Sequence, residues 1–216
     1  MIGSLPTEIG NLSRLTSLVL AREYIPVNML TFPSEISHLT NMMHLRLENL
    51  STPNTAWFVD ALEAMTALTS LYLTDQDGVT GFVPMTIPEE IGMLTALELL
   101  GITKAAMTGT VPTTLARLTK LTVLDVSYNH FVGTIPTELG LLTNLNILKM
   151  HDNDLAGFLP SEIGALSNLS VADFARSELS WSVPSEVCAL GIEIFIPCED
   201  LYADFSSPLE TCNACP

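Results

Sequence analysis

The sequence predicts an α/β solenoid: a curved array of stacked coils, with a parallel β-sheet on the concave face and short helical or 3-10 turns on the convex face. Two observations carry this. Proline recurs at Pro88, Pro112, Pro136, Pro160 and Pro184, every 24 residues. Between the prolines, aliphatic residues fall at fixed offsets, as in Leu115, Leu118, Leu121 and Leu124, then Leu139, Leu142, Leu145 and Leu148. A fixed period in this range marks units that each bury their apolar face only against the next copy.

Within a unit, the L-x-L end alternates with period two, as a strand with one buried face does. The preceding Pro-Ser/Thr-Glu-Ile-Gly reads as a short helical turn. Proline suits a turn's start because its missing N–H would be unpaired there, and the carboxylate complements the turn's positive end. Gly10, Gly92, Gly140 and Gly164 are expected to let the chain leave that turn. Each unit buries about six aliphatic side chains at roughly 1.5–3 kcal/mol each, most of it offset by chain entropy. Seven strands are expected, about 4.8 Å apart and spanning roughly 30 Å.

Degraded copies open at Pro6, Pro33, Val59 and Pro88, with steps of 27, 26 and 29 residues. The array is therefore irregular before residue 88 and regular from 88 to 184, with about seven to eight repeats over residues 1–190. The surplus near Thr52–Trp57 and Asp77–Thr86 is expected to bulge as loops. An inward asparagine occurs at Asn129 and Asn153, whereas Glu23, Leu50, Gln76, Ala105 and Ser177 take that slot elsewhere.

Asn129-His-Phe131-Val-Gly133-Thr-Ile135-Pro136 and Asn153-Asp-Leu155-Ala-Gly157-Phe-Leu159-Pro160 resemble the second half of the plant-type leucine-rich repeat. The resemblance covers residues 1–190 and is strong because many positions agree at one period. It implies recognition through the concave face, as in receptor ectodomains and polygalacturonase-inhibitor-like secreted inhibitors of wall-degrading enzymes. Met1–Pro6 reads as the tail of a preceding repeat, with Ile2 and Gly3 in the slots of Phe131 and Gly133. The expectation is thus of an array that starts mid-repeat, without the amino-terminal cysteine cap of its relatives.

Twenty-four acidic residues against eight basic give a formal charge of −16. Such a surface repels phosphate backbones, which excludes nucleic acid and anionic membranes as partners. No run of about 18 apolar residues is present, so this chain encodes no membrane insertion. The cysteines, absent for 187 residues, come at Cys188, Cys198, Cys212 and Cys215. Clustered at the end of an array, they read as a disulfide-stapled cap over residues 191–216, with three pairings open. In phase, Cys198 should face the core where Phe174 does. A zinc site is the competitor, with one C-x-x-C and no histidine after His151. Sequons at Asn11, Asn49 and Asn168 are candidate glycosylation sites. Together these place the chain in the secreted or cell-surface space.

Residues between the buried leucines point outward in stacked columns. One reads Val19, Arg46, Tyr72, Gly101, Asp125, Lys149, Asp173; the next reads Arg22, Asn49, Asp75, Lys104, Tyr128, Asp152, Arg176. The candidate partner-binding residues are Arg46, Tyr72, Asp75, Lys104, Asp125, Tyr128, Lys149, His151, Asp173 and Arg176. Tyr72 and Tyr128 would be aromatic anchors flanking the gap at Gly101, since aromatic and arginine side chains most often dominate binding energy. The plainer reading is that the charges alternate in sign to avoid repulsion, contributing about 0–1 kcal/mol per exposed pair. A third column, Ser17, His44, Ser70, Leu99, Val123, Ile147, Val171, ends in an apolar strip that is either a docking ridge or simply good sheet-forming sequence.

His151-Asp152-Asn153-Asp154 lacks a second ligand cluster, so no metal is expected. No nucleophile elbow, phosphate-cradling loop or assignable carboxylate pair appears, and neither catalysis nor a cofactor is expected. The function read from the sequence is non-catalytic recognition of a protein, peptide or cell-wall polysaccharide. An intracellular scaffold is the first alternative. A surface-active adhesin or ice-binding array is the second, opposed by the broken threonine row at Thr110, Thr134, Phe158 and Ser182.

Overall fold

The computed structural model describes residues 3–21, 30–48, 56–74, 85–180 and 182–197. Its centre is an eight-stranded sheet, all parallel, in which spatial order follows chain order. The strands are Ser17–Ala21, His44–Glu48, Ser70–Thr74, Leu99–Thr103, Val123–Asp125, Ile147–Lys149, Val171–Asp173 and Glu193–Phe195. Leu18, Leu45, Leu71, Leu100, Leu124, Leu148, Ala172 and Ile194 stand opposite one another along one inward row. From Leu45 to Ala172 every member of that row is buried. Alternation within each strand and constant period between strands together produce a single continuous aliphatic interior.

The eighth strand, beyond the seven expected, comes from a last step of 22 residues in place of 24: Ala172 faces Ile194 and Asp173 faces Phe195. The next inward residue is therefore Ile196, 5 % exposed. It takes the slot expected for Cys198, which lies outside the described residues.

On the convex side, five-residue 3-10 turns run over Thr7–Asn11, Ser34–His38, Glu89–Met93, Thr113–Arg117, Thr137–Leu141 and Ser161–Ala165. Each follows an extended proline whose carbonyl accepts the first bond of the turn, as from Leu139 N to Pro136 O at 3.1–3.2 Å in successive units. The expected role of the glycines at these turns needs correction. Gly140 has no unusual backbone angle; a Cβ there would stand 2.4 Å from Glu162 O in the next unit. Glycine at this slot lets neighbouring turns touch backbone to backbone.

In the third unit a nine-residue α-helix, Ala56–Ala64, replaces the turn. Ala56 and Trp57, expected in a loop, begin it. The cause is packing: Trp57 and Phe58 are buried, and the Trp57 ring stacks on Phe32 at 4.2 Å. Of the rest of the expected loops, residues 52–55 and 77–84 lie outside the described residues; Met85, expected in the second loop, is instead buried and makes a parallel bridge to Met107.

A second parallel sheet was not anticipated. It joins Thr108–Gly109, His130–Gly133, Asp154–Gly157 and Glu178–Leu179 between the concave sheet and the convex turns. Its strands of two to four residues are too short for alternation to reveal them. In the coil from Pro6 to Leu20, Leu15, Leu18 and Leu20 are half-buried and Leu12 is 52 % exposed. The same slots one coil on, Leu39 to Leu47, are buried because they have neighbours on both sides.

Candidate functional site

Two buried asparagines, Asn129 and Asn153, fix where the strands Val123–Asp125 and Ile147–Lys149 end and the chain turns away from the outward face. Asn129 Oδ1 accepts from the N–H groups of Ala105 and Met107, both at 3.1 Å, and its Nδ2 donates to Ile102 O at 2.7 Å and Val126 O at 3.0 Å. Asn153 repeats this one unit on, accepting from Phe131 N and donating to Val126 O and Met150 O, each at 3.0 Å. Each amide thereby satisfies backbone groups that the turn leaves inside the core.

The residue before or near each asparagine slot turns left-handed: Lys104, Tyr128, Asp152 and Arg176 have φ of 51°, 56°, 54° and 51°. This costs an L residue about 1–2 kcal/mol. Bonds such as Tyr128 N to His151 O and Asp152 N to Ala175 O, both 3.0 Å, offset it. The turn swings these four side chains onto the concave face beside the strand residues.

The first outward column stands in register: Val19, Arg46, Tyr72, Gly101, Asp125, Lys149, Asp173, then Phe195. Tyr72 does not flank an open gap. Its ring lies across Gly101, where a Cβ would meet Cδ1 at 2.6 Å and Cε1 at 2.8 Å. The Arg46 guanidinium sits over the same ring, 5.4 Å from its centroid, and pairs with Glu48. Burial raises the Tyr72 phenol above its ordinary pKa; Arg46 opposes this and Asp125 adds to it. A tyrosine whose folded pKa is raised contributes stability that is present below about pH 10 and lost as pH climbs past it. Gly101→Ala should dislodge the ring and lower stability by about 1–2 kcal/mol, read by urea denaturation.

The second group forms a continuous polar chain. Lys104 Nζ stands over the Tyr128 ring, 5.1 Å from its centroid, and the His151 ring meets Tyr128 edge-on at 4.7 Å. His151 Nδ1 is 2.7 Å from Asp152 Oδ2, and its Nε2 is 3.9 Å from Asp173 Oδ2. Arg176 Nη1 donates to Asp152 Oδ1 at 3.1 Å. Tyr128 remains 42 % exposed in this setting.

The Asp125–Lys149–Asp173 ladder alternates in sign, and its two carboxylates also bond to the turns of their own coils. Asp125 accepts from Ser127 N at 3.1 Å and from the Ser127 hydroxyl, and Asp173 accepts from Ala175 N at 3.1 Å. These carboxylates cap the turns that follow their strands. Among the described residues, no carboxylate lies within ion-pair distance of Lys149. Asp75 and Asn49 lie outside the described residues. His151 was a member of the face from sequence, but its bridging of Tyr128, Asp152 and Asp173 was not legible there. No group of three or more His, Cys, Asp or Glu among the described residues could hold a metal ion. No described helix is long and apolar enough to cross a membrane.

A family model described as Leucine Rich Repeat matches residues 120–142. The plant peptide hormone receptor RGFR1, solved in complex with RGF2, superposes with a TM-score of 0.70 at 27 % identity, over 91 % of this chain and 31 % of that one. The chain carries a leucine-rich repeat and takes the fold of plant leucine-rich repeat ectodomains. The leucine-rich repeat ectodomain of the Arabidopsis thaliana receptor kinase HAESA, in complex with an extended IDA peptide hormone ligand, gives a TM-score of 0.67 at 24 % identity over 90 % of this chain and 31 % of that one. An internalin from Listeria monocytogenes gives 0.63 at 20 % identity over 88 % and 49 %, a likeness of leucine-rich repeat fold alone. This leucine-rich repeat chain thus spans about a third of the two receptor ectodomains. No curated protein matches it.

Proposed function

We propose that the chain is a non-catalytic, extracellular recognition module that binds a peptide or protein segment across its concave face. The carrying observation is the Lys104–Tyr128–His151–Asp152–Arg176 chain, in which an exposed aromatic is braced on two sides. A ring held in place before binding loses little entropy on contact, which is what an anchor requires. Charge distribution supports the same face. Four of the chain's eight Lys and Arg, namely Arg46, Lys104, Lys149 and Arg176, stand there, against a formal charge of −16. The receptors RGFR1 and HAESA, both solved with peptide ligands, support a peptide as the partner class.

Tyr128→Ala should weaken ligand binding by more than about 1 kcal/mol, or roughly fivefold or greater, while Leu141→Ala on the convex side leaves it unchanged. A peptide library selected on the wild-type protein and re-measured on both variants by calorimetry tests this. Equal affinity for all three would remove the concave face as the site.

The cysteine-stapled cap belongs to the same reading. Cys188 ends the short helix Ser185–Cys188, and no described cysteine is a free thiol. Alkylation of native protein should add no label before reduction and four after it; four labels at once would favour the intracellular scaffold. Asn11 and Asn168 are exposed and open to glycosylation, whereas Asn49 lies outside the described residues.

A further inference from the structure

We propose that a shallow polar groove beside the concave sheet is a binding site for a neutral oligosaccharide. It lies apart from the tyrosine face and does not depend on it. The groove has a volume of about 540 Å³ and is lined by Glu98, Lys120, Thr122, Asn144, Asn146 and Asn168.

Its three asparagines are each fixed by the neighbouring coil. Asn144 Nδ2 donates to Thr119 O and Asn168 Nδ2 to Thr143 O, both at 2.8 Å. Asn146 Nδ2 donates to Asn168 O at 2.9 Å, and its Oδ1 accepts from Ser170 Oγ at 3.1 Å. One amide hydrogen per side chain is thus spent on orientation. The other hydrogen of each amide, the carbonyl lone pairs of Asn144 and Asn168 and the second lone pair of Asn146 Oδ1 remain to serve a ligand. A row of amides already locked by folding presents alternating donors and acceptors without further loss of rotamer freedom.

The surrounding chemistry selects the ligand class. Lys120 and Glu98 add one cation and one anion with no ion pair between them, so the groove carries no net charge. That disfavours phosphates and charged peptides in a chain of formal charge −16. Along one side runs the half-buried aliphatic ridge of Leu99, Val123, Ile147 and Val171. A sugar ring offers hydroxyls at its edge and C–H groups on its face, so amides and ridge address both. A peptide anchor would need an enclosed apolar pocket, whereas this groove is open and its described lining side chains are polar or charged. With no aromatic platform, affinity must come from several coils engaged together and must rise with chain length.

Asn168 also opens the triplet Asn168-Leu-Ser170, so a sugar on its own amide would occupy the same groove. The test separates the two sources. Protein from a host without N-glycosylation is titrated with neutral gluco-, xylo- and manno-oligosaccharides of two to six residues, following asparagine side-chain amide resonances. Saturable shifts of Asn144, Asn146 and Asn168 are expected, with affinity increasing with length. Asn146→Ala and Lys120→Ala should each weaken binding about tenfold, and Tyr128→Ala should not change it. Protein bearing a glycan at Asn168, verified by intact mass, should lose binding of the free chain. Absence of shifts with every sugar, an affinity unchanged by Asn146→Ala, or binding retained by the glycosylated form would each overturn the proposal. So would a neutral peptide that moves these amides when no sugar does. Unchanged peptide affinity in Tyr128→Ala would sink the concave-face reading alone.

Discussion

Asn129→Ala should lower the free energy of unfolding by about 3–5 kcal/mol, because it strips partners from buried N–H and C=O groups worth about 1–3 kcal/mol each. The side chain is 5 % exposed and holds the N–H groups of Ala105 and Met107 and the carbonyls of Ile102 and Val126. Ala105 stands in the slot where another asparagine would be, so its unit has no amide of its own to fall back on. The loss should be readable as a drop in urea midpoint and as faster hydrogen exchange at Ala105 and Met107. Asn153→Ala should cost less, since its Oδ1 holds one buried N–H, that of Phe131. Asn146→Ala, on the exposed groove, should stay within about 0.5 kcal/mol of wild type, which also makes it a clean binding variant. A midpoint for Asn129→Ala equal to that of Asn146→Ala would refute the bracing role.

Gly140→Ala should cost about 2–3 kcal/mol, the upper part of what overpacking brings. The added methyl would sit 2.4 Å from Glu162 O and 2.8 Å from Glu162 Cβ. Neither atom is the loose end of a side chain, so relief requires two turns to part. The same contact recurs at Gly164 against Glu186 O at 2.5 Å. The expected signature is a thermal midpoint lowered by several degrees with strand hydrogen bonds retained. Wild-type stability in Gly140→Ala would mean that the units are spaced by something other than turn-to-turn contact.

Much of this was legible from Pro88 onward. A constant period fixes register, so Gly101, Asp125, Lys149 and Asp173 could be placed opposite one another without coordinates. What escaped has physical causes. The last step shortens to 22 residues, and only the observed pairing of Val171 with Glu193 reveals it. The helix Ala56–Ala64 arises where proline is replaced by Val59 and aromatic residues find Phe32 to pack on. Within the face, columns give the address of a side chain and not its rotamer. The lean of Tyr72 over Gly101 and the bridging by His151 therefore had no sequence signal beyond the glycine itself.

The bonds that tie one unit to another join immediate neighbours, as Asn144 reaches Thr119 and Asn168 reaches Thr143. Such a chain is a string of interchangeable links. Excising Pro136 through Leu159 would bring Ile135 directly against Pro160, the same junction that Ile135 already makes with Pro136. Growth or loss by whole links is therefore open to this lineage without redesign of the remainder.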